Sequence, residues 1–243
     1  KICKLRIGFN MSRLIISDVH GCYKTLLALI YKLPKDIPIT FAGDLIDRAA
    51  DSRKVIEFVK NGGYDCVLGN HEQMMIDELK FKKDKNGNEY PFTDVYHGIW
   101  ELNGGDKCLD SYELSDGSSD VVALKEHVAW LKTLPYYIEY KDLKNSNGDY
   151  LLVTHTTASD VWDEMNHESP AFQNAVIWDR IPNPNPIPGV YNLYGHTPQP
   201  DGATVKDHFA CIDGGAYFKR SPYGRLIALQ FPELIVFEQE NCE

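Results

Sequence analysis

Residues 13–21 read RLIISDVHG, residues 39–48 read ITFAGDLIDR and residues 64–72 read YDCVLGNHE, and these three stretches decide the fold. Each begins as a short apolar run of buried-strand character and ends in a turn built from Gly, Asp or Asn. Between them, residues 22–33 and 52–60 carry apolar side chains at helical spacing. Pro34 and Pro38 close the first helix, and Asn61, Gly62 and Gly63 stop the second. Strand, turn and helix repeated in this way predict βαβ units and a parallel sheet. In open α/β sheets, ligands bind beyond the carboxyl ends of the strands. The turns at 18–21, 43–48 and 69–72 should therefore converge on one crevice. A lone Asp-x-His or Gly-Asp is an ordinary surface turn, whereas three successive strand ends that all carry metal-ligand side chains point to a site.

The rest of the chain has a different texture. Residues 74–82 read as a helix and 83–89 as a charged loop, while 94–134 read as helical segments broken at Gly104, Gly105 and residues 115–119. Residues 136–140 and 150–153 read as strands around a turn at Gly148, and 160–170 read as loop. Residues 181–189 contain four prolines and cannot be regular structure. Short strands are expected at 190–194, 204–205, 209–212, 226–231 and 234–237. No internal repeat is visible, so the expectation is one domain over residues 11–239 with a mostly helical insertion at about 83–134.

A chain of 243 residues with 43% hydrophobic content, fourteen Tyr and ten Phe can bury a sizeable core. Its formal charge of -10 argues against nucleic acid as a partner, because such binders neutralise phosphates with Lys and Arg. Acidity does not exclude a phosphorylated substrate, since bound metal ions can reverse the field inside one cleft. Six cysteines lie far apart with no Cys-x-x-Cys pair, which suits free thiols in a reducing compartment. No apolar run approaches the roughly 20 residues that span a bilayer. Residues 1–10 lack the pattern of a signal peptide, and Met11 offers an alternative start that would make them an upstream extension. A cytoplasmic location without a membrane partner is the expectation.

Asp18-Val-His-Gly, Gly43-Asp-Leu-Ile-Asp-Arg and Gly69-Asn-His-Glu resemble the three signature blocks of the phosphoprotein phosphatases, within the calcineurin-like metallophosphoesterases. Val153-Thr-His155 and Tyr194-Gly-His-Thr197 resemble the two later histidine blocks of that family. Ile177-Trp-Asp-Arg180 resembles its segment with a second phosphate-binding arginine, and residues 212–216 with 224–226 look like the closing strand pair of the bacterial and phage branch. The resemblance implies an α/β sandwich of two mixed sheets flanked by helices, with metals at one edge. It further implies that Asp18 and His20 hold a first metal, that Asp44 bridges both, and that Asn70, His155 and His196 complete a second. His71 would be the general acid, oriented by Asp47, and Arg48 and Arg180 would hold phosphate oxygens.

The chemistry asks for these residue types by itself. Two divalent ions about 3.5–4 Å apart need a shared carboxylate to offset their repulsion. Mixed Asp, Asn and His ligands suit Mn, Fe or Zn better than Ca, which prefers oxygen alone. Attack on phosphorus should be direct, by a metal-bridging hydroxide, with no side-chain nucleophile. Mn2+ is the expected cofactor, with Fe or Zn as alternatives. The expected substrates are phosphoserine and phosphothreonine proteins or small phosphoesters.

Some positions depart from the family pattern. Ser17 and Ala49 stand where glycine is usual, and Thr156 and Thr157 replace the usual Ala-Gly. A left-handed Ala49 would be strained by roughly 1 kcal/mol, so a slightly different turn is the expectation there. The Ser-Ala-Pro-Asn-Tyr segment of the eukaryotic branch is absent, which removes any basis for its regulatory partners. The alternative activity is symmetrical diadenosine tetraphosphate hydrolysis, whose branch tends to have Asp after Asn-His and to lack the Asp-Arg pair, whereas this chain has Glu72, Asp47 and Arg48. His97, His127, His167 and His208 fall outside every block and read as surface or satisfied residues, and Trp100, Trp130, Trp162 and Trp178 read as core.

Overall fold

The computed structural model describes residues 12–93 and 98–243, so Cys3, Met11, His97 and the first part of the expected 94–134 helical region lie outside it. The three opening stretches form β1 (Arg13–Ile16), α1 (Tyr23–Lys32), β2 (Ile39–Phe41), α2 (Ser52–Asn61) and β3 (Asp65–Cys66). β1, β2 and β3 lie side by side and parallel, as the βαβ pattern requires. Two late strands, β11 (Arg225–Phe231) and β12 (Ile235–Glu240), extend this sheet antiparallel beyond β1, giving the order β12-β11-β1-β2-β3. The second sheet is built from β6 (Tyr137–Lys144), β7 (Tyr150–Thr154), β8 (Val190–Tyr194), β10 (Phe209–Cys211) and β9 (Thr204–Val205), in that order. Its inner strands β7, β8 and β10 are parallel and its edges antiparallel, so both sheets are mixed.

Side chains alternate across a strand, and this alternation separates the cores. Ile15 on β1 and Ile227, Leu229 and Phe231 on β11 face Leu151, Val153, Tyr191, Leu193 and Ala210 of the second sheet. Their neighbours Leu14, Ile16, Leu226 and Ala228 face the opposite way, onto Leu26 and Leu29 of α1 and Val55, Ile56 and Val59 of α2. Leu152 and Val190 on the outer side of the second sheet are covered by Phe172 and Val176 of α6 (Pro170–Trp178). The sandwich is thus helix, sheet, sheet, helix in one domain.

Two sequence expectations are corrected. The helix expected at 74–82 is α3 (Asn70–Glu78), and Lys80–Lys83 is instead a strand, β4, paired antiparallel with β5 (Glu89–Phe92). Lys-Phe-Lys-Lys has period-two polarity: Phe81 packs on the core while the Lys82 ammonium lies 3.2 Å from the Phe92 ring centroid. The strand expected at 64–68 pairs only over two residues: the ladder ends with Val67 donating to Phe41 O, and Leu68 then donates to Pro135 O. Among the described residues after β5, a π-helical turn (Glu101–Gly105), α4 (Asp106–Asp110) and α5 (Val121–Leu131) follow, with Gly104 left-handed at φ 101°.

Candidate metal centre

Strand ends that must turn sharply while presenting polar side chains adopt costly backbone geometry. Among the described residues, seven non-glycine positions have left-handed φ, and six of them are sequence-predicted site residues: Asp18, His20, Asp44, Asp47, Arg48 and His196. Each such residue costs on the order of 1–3 kcal/mol and persists only where its surroundings dictate it. Ala49 is not among them. The left-handed positions of this turn are Asp47 and Arg48, at φ 72° and 67°, and Ala49 N donates to Asp47 O and His20 O. Two glycines permit the loops to close. A Cβ on Gly69 would lie 2.3 Å from Asp44 Oδ1, and one on Gly195 would lie 1.8 Å from Asp18 Oδ2.

Two clusters of buried potential ligands result, His20–Asp44–His71 and Asp44–His155–His196, and they share Asp44. His155 Nε2 stands 2.9 Å from Asn70 Oδ1, 3.1 Å from His196 Nδ1 and 3.3 Å from Asp44 Oδ1. His196 Nδ1 is also 2.9 Å from Asn70 Oδ1. His155 Nδ1 lies 2.8 Å from Ala42 O, and His20 Nδ1 lies 2.9 Å from Ile46 O. A carbonyl can only accept, so both Nδ1 atoms carry hydrogen, and each ring in its neutral form aims an Nε2 lone pair inward. Those lone pairs meet other acceptors: Asn70 Oδ1 and Asp44 for His155, and Asp44 Oδ2 at 3.6 Å for His20. Converging acceptors in a buried space require a cation, and this donor set of imidazole, carboxylate and amide oxygen fits divalent transition metals.

The titration behaviour follows the same logic. Burial, reinforced by the neighbouring His71, lowers His20 to about 3, and burial with His155 does the same to His196. Both rings therefore stay neutral and able to ligate. Burial also opposes charge on His155, but the Asp44 carboxylate overrules it and raises His155 to about 10. A proton there occupies the direction that a metal would take.

Asp18 lies outside both clusters. Its two oxygens accept from His196 N at 3.0 and 3.1 Å, and burial, together with the Asp213 charge, raises its carboxyl well above the usual range. His71, assigned from sequence to proton transfer, has Nε2 3.9 Å from Asp44 Oδ2 and falls inside the first cluster. Its Nδ1 is held 2.5 Å from Asp47 Oδ2. Burial opposes protonation of His71, yet Asp44 and Asp47 raise it net.

Four residues with no assigned sequence role support this arrangement. The buried Glu72 carboxylate accepts from Gly69 N, Asp44 N, Leu45 N and Ile46 N, which ties the start of α3 to the Asp44 loop. Only half of this was legible, as an N3 glutamate reaching back to a helix N-cap amide. The fully buried Trp100 is core, as expected, but its Nε1 also donates to both oxygens of Asp47 at 3.0 Å. Asn103 Oδ1 accepts from Arg48 Nη2 at 2.8 Å, and the Tyr217 ring centroid lies 5.2 Å from the Arg48 guanidinium carbon. Trp100 and Asn103 come from a different segment, so no local pattern announces them.

A cavity of about 210 Å³ opens over the clusters, lined by His20, Asp44, Asn70, His71, His196, Arg48 and Arg180, with Asn103, Trp178, Asp213 and Tyr217. Asp47, Asp18 and His155 sit behind these as buried residues. Arg48 Nε is buried with no protein partner, a cationic donor free for an anion. The four remaining histidines divide: His127 bonds Tyr112 Oη, His167 bonds Trp162 O, His208 bonds Pro184 O, and His97 lies outside the described residues.

Residues 11–200 match the sequence model of the calcineurin-like phosphoesterases. The chain belongs to this family. The family is one of metallophosphoesterases with a dinuclear metal centre, and the shared Asp44 of the two clusters conforms to that pattern. The chain is 30% identical over 249 residues to the asymmetrical bis(5'-nucleosyl)-tetraphosphatase PrpE of Bacillus subtilis, covering 90% of this chain and 91% of that one. It is 33% identical over 158 residues to the symmetrical bis(5'-nucleosyl)-tetraphosphatase of Photorhabdus laumondii, covering 63% of this chain but only 46% of that relative. It therefore spans about half the length of that protein. It is also 25% identical over 169 residues to serine/threonine-protein phosphatase 2 of Salmonella typhimurium, covering 68% and 66% of the two chains. Among the described residues of this phosphoesterase, no helix is long and apolar enough to cross a membrane, and Cys22, Cys66, Cys108, Cys211 and Cys242 are free thiols.

Proposed function

We propose that this metallophosphoesterase hydrolyses bis(5'-nucleosyl) tetraphosphates. The observation that carries the reading is its likeness over nearly the whole of both chains to a phosphoesterase of that name. Sequence alone favoured a protein phosphatase, partly because of Glu72 and the Asp47-Arg48 pair. Glu72 is occupied with four backbone amides and does not face the cavity, so it carries no information about substrate. Asp47 and Arg48 serve any phosphoryl group.

Asp18, His20, Asp44, Asn70, His155 and His196 would hold two divalent ions, Mn2+ first among them, with Fe or Zn as alternatives. Bound there, the ions would neutralise phosphate charge and lower the pKa of water in the cavity. Arg48 and Arg180 hold the non-bridging phosphate oxygens from two sides. Water adds to phosphorus opposite the departing oxygen with one of its protons released to solvent, and the P–O bond to that departing oxygen breaks. The proton on His71 Nε2 passes to the departing oxygen, while Asp47 keeps the Nδ1 proton and the ring plane fixed.

A second reading, hydrolysis of phosphoserine or phosphothreonine proteins, is favoured by the buried His71–Asp47–Trp100 chain. A serine alkoxide is a poor leaving group and needs a well-held acid more than a nucleotide does. The two readings separate in one panel with added manganese: diadenosine tetraphosphate, a phosphoserine peptide and p-nitrophenyl phosphate. The proposal expects kcat/KM for the dinucleotide to exceed that for the peptide by at least about tenfold, on the scale by which a site that pairs a substrate's polar groups discriminates. The reverse order would establish the second reading instead.

A further inference from the structure

The outer face of the second sheet carries two separate buried apolar clusters. α6 packs over Leu152 and Val190, whereas Tyr194, Phe209 and Cys211 form a separate small apolar cluster outside that cover. The strand registers explain why. Thr204 on β9, Cys211 on β10 and Tyr194 on β8 are direct cross-strand partners in one row, and Phe209 lies two residues before Cys211 on the same face. Tyr194 and Phe209 are stacked, with ring centroids 5.9 Å apart and planes inclined by 25°.

This row floors a cavity of about 230 Å³, walled by Ile181 and Pro182 and edged by Thr157, Gln199 and Thr204. It lies at the carboxyl ends of the parallel strands β8 and β10, where open sheets place ligands. His196 follows Tyr194 by two residues and Asp213 follows Cys211 by two, so the strands that make the floor also run into the metal centre. Arg180 lines both cavities. The last residue of α6, Trp178, thus lines the metal cavity, and the segment after it gives Arg180 to both cavities and Ile181 and Pro182 to the second.

We infer that this second cavity receives a nucleoside of the substrate, its base lying on the Tyr194–Phe209–Cys211 floor while Arg180 holds a phosphate at the junction. The inference rests on the tetraphosphatase reading. A flat apolar floor with hydroxyl and amide groups suits an aromatic ring with a polar edge, and the Asp179 carboxylate that also lines the cavity is an acceptor for a base's amino group. The enclosed shape admits one bicyclic ring more readily than a length of peptide. The four prolines at 182–188 stiffen the wall without helix or strand, so it needs little ordering when the ligand enters.

Thr204 on β9 and Ile181 after α6 both line the cavity and are partly exposed, so Thr204→Trp and Ile181→Trp each fill it from a different element. Each variant should raise KM for diadenosine tetraphosphate at least tenfold and leave p-nitrophenyl phosphate turnover within twofold of the native value. Equilibrium dialysis of adenosine monophosphate with the manganese-loaded protein gives a second readout, independent of turnover. Native protein should bind it, and both variants should bind it at least tenfold more weakly. If the native protein hydrolyses the dinucleotide and neither variant changes KM, the cavity assignment is wrong while the tetraphosphatase reading stands. If the dinucleotide is not hydrolysed but the nucleotide still binds and both variants lose it, the substrate reading fails and the cavity assignment survives. Native protein that binds no adenosine monophosphate overturns the inference, and selective loss of phosphopeptide turnover in the variants would assign the cavity to peptide.

Discussion

Replacing Trp100 with Phe removes one hydrogen and one ring edge from the centre of the proton-transfer apparatus. Indole Nε1 is 3.0 Å from each Asp47 oxygen, and Asp47 is fully buried beside His71. Burial raises the Asp47 carboxyl, against the lowering pull of the His71 and Trp100 hydrogen bonds. A hydrogen bond to a charged group is worth about 1.5–3 kcal/mol, and the smaller ring forfeits roughly a further 1 kcal/mol of packing in a fully buried position. The Phe variant should therefore be less stable by about 2–4 kcal/mol, a large share of a typical folding free energy of about 5–15 kcal/mol. Urea unfolding of the chelator-treated protein measures this as a lower midpoint with unchanged slope. In the metal-loaded enzyme, Asp47 loses the contact that fixes its plane, so His71 is held less well. kcat should fall several-fold for a phosphoserine peptide and by less for p-nitrophenyl phosphate, whose phenolate leaves without much help. A stability loss under about 0.5 kcal/mol together with an unchanged ratio of the two rates would refute the argument, because it would mean that Asp47 does not depend on the indole.

Asp44→Asn should bind metal at least about a hundredfold more weakly and lose activity with it, since Asp44 belongs to both clusters; metal analysis that finds two tightly held ions in the folded variant would end the bridging assignment. His71→Asn should keep both metals yet slow poor leaving groups by about 10²–10⁴-fold and activated ones far less. Equal losses on both substrates together with metal loss would make His71 a ligand, as its place in the first cluster allows. Metal binding should release close to one proton at pH 8, because His155, raised to about 10, is protonated in the metal-free protein and must be deprotonated to ligate. Calorimetry in buffers of different ionisation enthalpy measures it, and zero release would place the metal elsewhere. The matching stability of the metal-free protein is complete below the unfolded value of 6.5 and lost as pH rises through about 10, since a raised folded pKa favours the protonated fold.

Much of this was written along the chain. The β1–α1–β2–α2–β3 order follows from periodicity, and the turns that end those strands carry Asp18, His20, Asp44 and Asn70 in runs short enough to read. Those residues are local because a strand end must turn at once, and the turn itself selects Gly, Asp and Asn. His155, His196 and Arg180 were legible by resemblance, and the sheet brings the two histidines to the same edge because β7 and β8 run parallel beside one another.

What sequence could not show depends on contacts between distant segments. The lysine-rich 80–83 run became a strand because a partner at Glu89–Phe92 offered an antiparallel ladder and Phe81 a place in the core. Backbone strain settled on Asp47 and Arg48 instead of Ala49, since Gly104, whose Cβ would lie 2.7 Å from Arg48 N, packs against that turn from another segment. Trp100 came to Asp47 by the same route, across 53 positions of sequence. Local propensity fixes which turns bear ligands, because each turn is decided by its own few residues. Only the folded chain decides which buried donor meets which buried carboxylate, because an unpaired charge in the interior is satisfied by whatever group the packing delivers to it.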